Sequence, residues 1–292
     1  MITTDDCIEQ LLAGSDRALA RTITWLENDD PRAPDCMEKL YPHTGNAFVL
    51  GLTGSPGAGK SSLTDQIARF YRKQDKTVGI VAVDPSSPFS GGALLGDRVR
   101  MNQLVGDPGV FIRSMATRGF LGGLAQATDN VIMAMAASGK DIVIVETVGV
   151  GQDEIDIMRI ADTICLVLAP GFGDIIQSMK AGVMEIGDIF VVNKSDKPDA
   201  DKLKAEIEYV LSLKRMDSDT TENPVIMTSA TENTGIQALT HAIDSYSHSI
   251  QFNGILKTKR TKRLKSEIRT FLGDKVMEMV DYYLSEDSDY DT

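Results

Sequence analysis

The sequence predicts an α/β protein built on a doubly wound, mostly parallel sheet, with a helical extension before it (residues 1–46) and a helical arm after it (254–292). Three observations carry this. Short, apolar, β-branched runs alternate with helical segments between residues 47 and 253, the pattern of strands buried on both faces and joined by crossover helices. A glycine-rich turn, Gly54 to Gly59, stands between the first run and the helix that follows it. Acidic residues also recur at the ends of the runs, where ligands of open α/β sheets lie.

Taken in order, Ile8, Leu11 and Leu12 form one apolar stripe, and Leu19, Ile23 and Leu26 form another at helical spacing after Ser15, a residue that favours helix starts. Pro31, Pro34 and Pro42 punctuate the exit from this region. Strands are predicted at Phe48 to Thr53, Val78 to Val83, Val110 to Ile112, Ile142 to Val145, Thr163 to Leu168, Ile189 to Val192 and Val225 to Thr228. After Gly254, Leu264, Ile268, Phe271, Leu272, Val276 and Met279 recur at steps of mostly three and four residues, predicting a long amphipathic helix whose apolar stripe needs a partner surface. An acidic tail, Glu286 to Asp291, follows.

The 292 residues carry 42 Asp and Glu against 30 Lys and Arg, a net charge of -12, which argues against nucleic acid or an anionic membrane as partner. The balance conceals a local reversal: residues 257–280 hold 8 basic and 3 acidic side chains, and residues 281–292 hold 5 acidic and no basic ones. Three cysteines, Cys7, Cys36 and Cys165, fit a reducing compartment better than a disulfide framework. The first ten residues lack the pattern of a secretory signal, and the apolar runs fall far short of the roughly 20 residues that span a bilayer, so a cytoplasmic protein is expected, or a matrix protein if eukaryotic and processed.

The chemistry begins at the first strand's end. Gly54-Ser55-Pro56-Gly57-Ala58-Gly59-Lys60-Ser61 fits G-x-x-x-x-G-K-[ST], with Ser62 next on the helix. Such a loop curls so that its N–H groups converge on phosphate oxygens at a helix N-terminus. Lys60 is expected to reach the β and γ phosphates and the Ser61 hydroxyl to bind magnesium. The base is read elsewhere: Asn193-Lys194-Ser195-Asp196 ends a buried run, and a carboxylate there can accept both the N1 and N2 protons of guanine, a donor pair that adenine lacks. Thr228-Ser229-Ala230, followed by Thr231, comes after the last run and can close over the base with a backbone N–H.

Three acids are candidates for the metal and the reacting water: Asp84, in Asp84-Pro-Ser-Ser-Pro, Glu146, in Glu146-Thr-Val-Gly149-Val-Gly151-Gln152, and Asp97, in a glycine-rich stretch. Against this stands the helix-capping habit of acidic residues, chiefly Asp. Gly149 and Gly151 suit a loop that a γ-phosphate recruits and its loss releases. Lys180 is placed either to ion-pair near the site or as a solvated lysine.

With these motifs together, the sequence resembles the GTPases associated with methylmalonyl-CoA mutase, the MeaB/ArgK family, over roughly residues 15–250. The resemblance rests on Asp84-Pro-Ser-Ser-Pro-Phe, Gly91-Gly, Leu95-Gly-Asp-Arg98, Phe111-Ile-Arg-Ser-Met-Ala-Thr-Arg-Gly119, Leu121-Gly-Gly123, Glu146 to Gln152 and Asn193 to Asp196. It implies a dimeric, magnesium-dependent GTPase that escorts an adenosylcobalamin-dependent acyl-CoA mutase, GTP hydrolysis gating cofactor delivery from an adenosyltransferase and protecting the mutase. It also implies roles residue by residue: Lys60 and Ser61 for phosphate and magnesium, Asp84, Asp97 and Glu146 for the metal and water shell, Asp196 with Asn193 and Lys194 for guanine, and Ser229 and Ala230 to close the base pocket. The segment Ala169 to Lys180 matches a third switch loop that senses the mutase.

Two departures stand out. Ile175 occupies a place where many relatives carry an acid, and Phe271, Tyr282 and Tyr283 replace the tryptophan-rich helix of the relatives' dimerisation arm. Two other functions compete with the mutase-linked GTPase: a nickel-insertion metallochaperone and a P-loop kinase. The first usually needs Cys and His ligands near the nucleotide, where this chain offers only His43, His241 and His248 and no Cys-x-Cys. The second is disfavoured by the guanine motif and by the lack of an evident insert for an acceptor.

Overall fold

The computed structural model describes residues 2–28, 30–84, 104, 106–116, 123–147, 153–171, 183–215 and 223–286. All seven apolar runs are strands: β1 (Phe48–Gly54), β2 (Val78–Asp84), β3 (Val110–Ala116), β4 (Ile142–Thr147), β5 (Thr163–Leu168), β6 (Ile189–Val192) and β7 (Val225–Met227). They form one sheet in the order β3-β2-β4-β1-β5-β6-β7, and every pairing is parallel. On one side of β1 the chain goes out to β2 and β3 and returns to insert β4 next to β1; on the other it builds outward through β5, β6 and β7. The C-terminal end of β1, flanked by β4 and β5, is the switch point where such sheets open a crevice.

Helices are α1 (Thr4–Leu12), α2 (Asp16–Glu27), α3 (Ala33–Leu40), α4 (Lys60–Arg72), α5 (Gly123–Ala137), α6 (Asp153–Ile160), α7 (Ala200–Arg215), α8 (Ile236–Phe252) and α9 (Ile255–Glu286). The two N-terminal stripes are helical as expected, and local chemistry fixes their starts. Thr3 and Asp6 form a reciprocal capping box at α1, and the Ser15 hydroxyl accepts from the Ala18 N–H at α2.

These first helices do not form a core of their own. Leu11, Leu19 and Ile23 are fully buried in one cluster with Val49, Val81, Val143 and Val145 of the sheet. Burial of each such side chain contributes about 1.5–3 kcal/mol. Arg113 of β3 pins α2 further, its Nε donating to Glu27 at 2.9 Å. Residues of opposite parity on the same strands, Leu50, Leu52, Ile80 and Ile144, face the other layer, where Leu63 and Ile67 of α4 and Leu239 and Ile243 of α8 meet them.

Aspartates brace the N-terminal edge of the sheet. Asp162, Asp141 and Asp188 each stand just before a strand and accept an N–H from the neighbouring one: Val49 to Asp162 at 2.9 Å, Thr77 to Asp141 at 2.7 Å and Ile164 to Asp188 at 2.9 Å. These amides would otherwise lie beyond the parallel ladder without an acceptor.

The chain divides into two compact units, Met1–Tyr246 and Ser247–Thr292. In the second, α9 is a single helix of 32 residues. The residues of its apolar stripe are exposed, from 39% at Leu264 to 59% at Phe271 and Met279. Among the described residues no helix is long and apolar enough to cross a membrane.

Candidate functional site

The site is built at the C-terminal end of β1. Gly54 leaves the strand with φ 135°, and a Cβ there would lie 2.0 Å from the Val167 carbonyl oxygen of β5, so only glycine fits. The loop then turns, the Ala58 N–H donating to the Ser55 carbonyl at 3.2 Å, and passes into α4 through Gly59 at φ 94°. A Cβ on Gly59 would meet the Asn193 amide nitrogen at 2.4 Å, which shows how closely the loop approaches β6's end.

Lys60, 6% exposed, folds back across the loop, its Nζ donating to the Gly54 carbonyl at 2.7 Å and the Ser55 carbonyl at 3.1 Å. A buried ammonium needs such acceptors. Its charge is thereby held over the cradle where phosphate oxygens would sit.

Glu146 approaches from β4, in register with Leu52 of β1 and Ala82 of β2. It is 6% exposed and accepts two hydroxyls, one on each oxygen: Ser61 Oγ at 2.5 Å and Thr64 Oγ1 at 3.0 Å. Ser61 and Thr64 stand three residues apart on α4 and therefore share a face. One residue on, the Thr147 and Thr53 hydroxyls bond at 3.0 Å, tying β4 to β1 beneath the loop.

Asp84 is the last residue of β2. That strand is two places from β1, with a backbone separation of about 10 Å at ordinary strand spacing. Asp97, Gly149, Gly151, Gln152, Ile175 and Lys180 lie outside the described residues.

The Asn-Lys-x-Asp side is organised by Asn193, which is 2% exposed at the end of β6. Its Nδ2 donates to the Ala58 carbonyl of the phosphate loop at 2.8 Å. Its Oδ1 accepts from Thr228 Oγ1 at 3.1 Å and from the Ala230 N–H at 3.2 Å. One side chain therefore links three motifs: phosphate loop, Asn-Lys-x-Asp segment and Ser-Ala loop. Lys194 sits in the left-handed region, φ 59°, beside Gly59.

Ser229 donates to Asp196 Oδ1 at 2.7 Å and lies 3.2 Å from the Thr231 hydroxyl. That bond holds the Asp196 carboxyl below its usual range, so it is ionised at neutral pH. Of the backbone N–H groups in the Thr228-Ser229-Ala230 segment, that of Ala230 is engaged by Asn193 Oδ1.

The structure thus assembles Lys60, Ser61 and Glu146 at one end and Asn193, Asp196, Ser229 and Ala230 at the other, across one loop. Thr64 and Gln66 were not picked out from the sequence. For Thr64 the spacing from Ser61 was the available signal. Gln66, whose Nε2 donates to the Ala230 carbonyl at 3.1 Å, carried none.

Ser61 and Glu146 offer hard oxygen donors, which suits magnesium, an ion that keeps several waters and takes one or two protein oxygens besides substrate phosphates. Among the described residues no group of three or more His, Cys, Asp or Glu could hold a metal by itself.

A parallel sheet of this winding, with a phosphate loop at its switch point and Asn-Lys-x-Asp two strands away, defines a P-loop GTPase. The chain belongs to the methylmalonyl Co-A mutase-associated GTPase MeaB family, whose sequence profile matches residues 19–283. A protein of Pyrococcus abyssi is 50% identical over 273 residues, covering 92% of this chain and 83% of that one. The GTPase ArgK of Escherichia coli is 34% identical over 282 residues, covering 94% and 85%. Among solved structures, that of an LAO/AO transport system kinase superposes with a TM-score of 0.78 at 28% identity, covering 99% of this chain and 88% of that one.

Proposed function

We propose that this GTPase serves an adenosylcobalamin-dependent acyl-CoA mutase of the methylmalonyl-CoA type, its hydrolytic cycle gating cofactor loading and protecting the mutase. The observation that carries the reading is the family match across residues 19–283. An adenosyltransferase is the proposed cofactor donor. A homodimer is proposed through α9, whose exposed apolar stripe offers the surface.

The site residues act in named roles. The loop Gly54 to Gly59, with Ser62 at the helix start, surrounds the phosphates, and Lys60 exchanges its two carbonyl acceptors for β and γ oxygens. Ser61 holds magnesium, with Glu146, Asp84 and Asp97 as its acidic surroundings. Bound magnesium supplies charge neutralisation on the phosphates as the terminal bond breaks. Glu146, whose two oxygens accept the Ser61 and Thr64 hydroxyls, orients the attacking water and accepts its hydrogen bond. Asp196 pairs with guanine, Asn193 and Lys194 brace it, and Ser229, Ala230 and Thr231 close the pocket. Positioning and electrostatics carry such a reaction, with little covalent work for the protein.

Thr64 belongs to this machinery through Glu146. Thr64→Val removes one hydroxyl at nearly constant shape, and is expected to lower the hydrolysis rate about tenfold with GTP affinity changed less than threefold, a loss in keeping with one hydrogen bond to a charged group. Thr64→Ser is expected to restore the rate. Single-turnover hydrolysis and nucleotide titration separate the two quantities, and an unchanged rate in the valine variant counts against the role.

The mutase reading is tested by capture on the immobilised chain with a non-hydrolysable GTP analogue, followed by mass spectrometry. A cobalamin-dependent mutase subunit is expected, and its absence in every nucleotide state would sink the proposal. The solved relative, an LAO/AO transport system kinase, keeps a kinase as the second reading. GTP labelled at the γ-phosphate distinguishes them, since free phosphate alone fits a hydrolase and a stable labelled acceptor a kinase. A nickel chaperone has less support: the three cysteines are buried, and no metal-binding cluster involves His43, His241 or His248 among the described residues.

A further inference from the structure

We propose that Gln66 is a positioning residue of the base pocket, fixing the Ser229–Thr231 loop to the helix that begins at the phosphate loop. The inference rests on the reading of Asp196 and its neighbours as the guanine site. It starts from a bond that joins residues far apart in sequence: Gln66, the seventh residue of α4, donates from Nε2 to the carbonyl of Ala230 at 3.1 Å.

The Ala230 residue is held at both ends. Its N–H donates to Asn193 Oδ1 at 3.2 Å, and the same Asn193 side chain donates to the Ala58 carbonyl at 2.8 Å. Ala58 lies just before Gly59, the cap of α4. The bonds therefore close a circuit: α4 to Ala230 through Gln66, Ala230 to Asn193, and Asn193 back to the loop that opens α4. Ser229 is paired with Thr234 through its backbone, which holds the loop within its own hairpin, and Asn193 holds the Ala230 N–H. Gln66 adds the tether from α4, at the carbonyl side of Ala230.

The orientation of the loop reaches the base through Ser229, whose hydroxyl donates to Asp196 Oδ1 at 2.7 Å. If the loop tilts, this hydroxyl moves, and with it the direction in which the carboxylate faces the base. Ala230 is 6% exposed, so a carbonyl deprived of its donor there has little access to water in compensation. The chemistry demanded at position 66 is a donor, because a backbone carbonyl only accepts.

The full-length chain and three variants test this: Gln66→Leu, which keeps the bulk and removes the donor, Gln66→Glu, which aims an acceptor at the carbonyl, and Gln66→Lys, which keeps a donor. Two dissociation constants are measured for each, for GDP and for inorganic tripolyphosphate, which carries the phosphates without a base. The GDP constant is expected to rise about three- to tenfold in the leucine variant and further in the glutamate variant, and to return close to wild type in the lysine variant. Tripolyphosphate binding is expected to stay within twofold throughout, which also shows that the helix and loop are folded. Unchanged GDP affinity in both the leucine and glutamate variants would overturn the inference, as would a parallel loss for tripolyphosphate. A wild-type chain that holds ADP as tightly as GDP would instead overturn the guanine-site reading beneath it.

Discussion

Glu146→Gln is expected to lower the rate of GTP hydrolysis by about 10²–10⁴-fold, the range lost when a positioned acid or base is removed, while GTP still binds. The carboxylate is 6% exposed and uses one oxygen for Ser61 and the other for Thr64. A glutamine can accept only one of those hydroxyls. Its NH₂ must face the other, which then has to turn its proton away. The substitution therefore removes a charge beside the reacting phosphate and also disturbs the hydroxyl proposed for magnesium. Uniform binding through the loop, Lys60 and the base pocket is untouched, so the loss falls on the chemical step. Single-turnover hydrolysis with a separate nucleotide titration checks this. Hydrolysis at the wild-type rate would remove Glu146 from the reaction.

Much of this arrangement was legible because it is local. The phosphate loop, the Asn-Lys-x-Asp segment and the strand-end acids are written in consecutive residues, and the backbone geometry that Gly54 and Gly59 need follows from their lack of a Cβ. All seven strands were legible too: burial on both faces leaves an unbroken apolar run in the central ones, and the half-buried edge strands β3 and β7 still begin with short apolar runs.

Neighbour order was not legible. Periodicity reports that a strand is buried but not beside what, and nothing in Ile142 to Val145 says that β4 separates β1 from β2. The same limit hid the partner of the N-terminal stripes. Leu19 and Ile23 show by spacing that they need an apolar surface, and only the fold shows that Val49, Val81 and Val143 provide it.

Charge alone does not assign roles. Asp84 and Glu146 stand toward the C-terminal ends of β2 and β4. Asp141, Asp162 and Asp188 stand at the opposite ends, accepting backbone amides of neighbouring strands. Composition cannot tell a carboxylate that awaits a ligand from one that completes a sheet. Thr64 and Gln66 were missed for a related reason: each acts on a residue more than eighty positions away, and their own identities are ordinary for a helix.

Asp196→Asn is expected to weaken GTP affinity about 10²-fold or more and to make XTP the preferred substrate. Two charge-assisted hydrogen bonds to the base are at stake, each worth roughly 1.5–3 kcal/mol. The Asp196 carboxyl accepts from Ser229 at Oδ1 and lies 3.5 Å from Lys197 Nζ through Oδ2, which leaves lone pairs on both oxygens for the base. In the asparagine variant the Ser229 hydroxyl favours the amide oxygen at the Oδ1 position, so the NH₂ takes the other. Guanine then presents a donor to a donor at N2. Xanthine has a carbonyl there and can accept, while its N1 proton still finds the amide oxygen. The Ser229 bond also sets the pH behaviour of the wild type. Because it lowers the folded-state pKa, the acceptor form persists across neutral pH and is lost only as pH falls below the usual carboxylate range. GTP affinity should therefore be flat through neutrality and fall in acid, whereas the asparagine variant, having no carboxyl to protonate, should lack that fall at this position. Catalytic efficiencies for GTP and XTP, measured side by side, decide the matter, and a variant that keeps its wild-type preference for GTP would show that guanine is read by some other group.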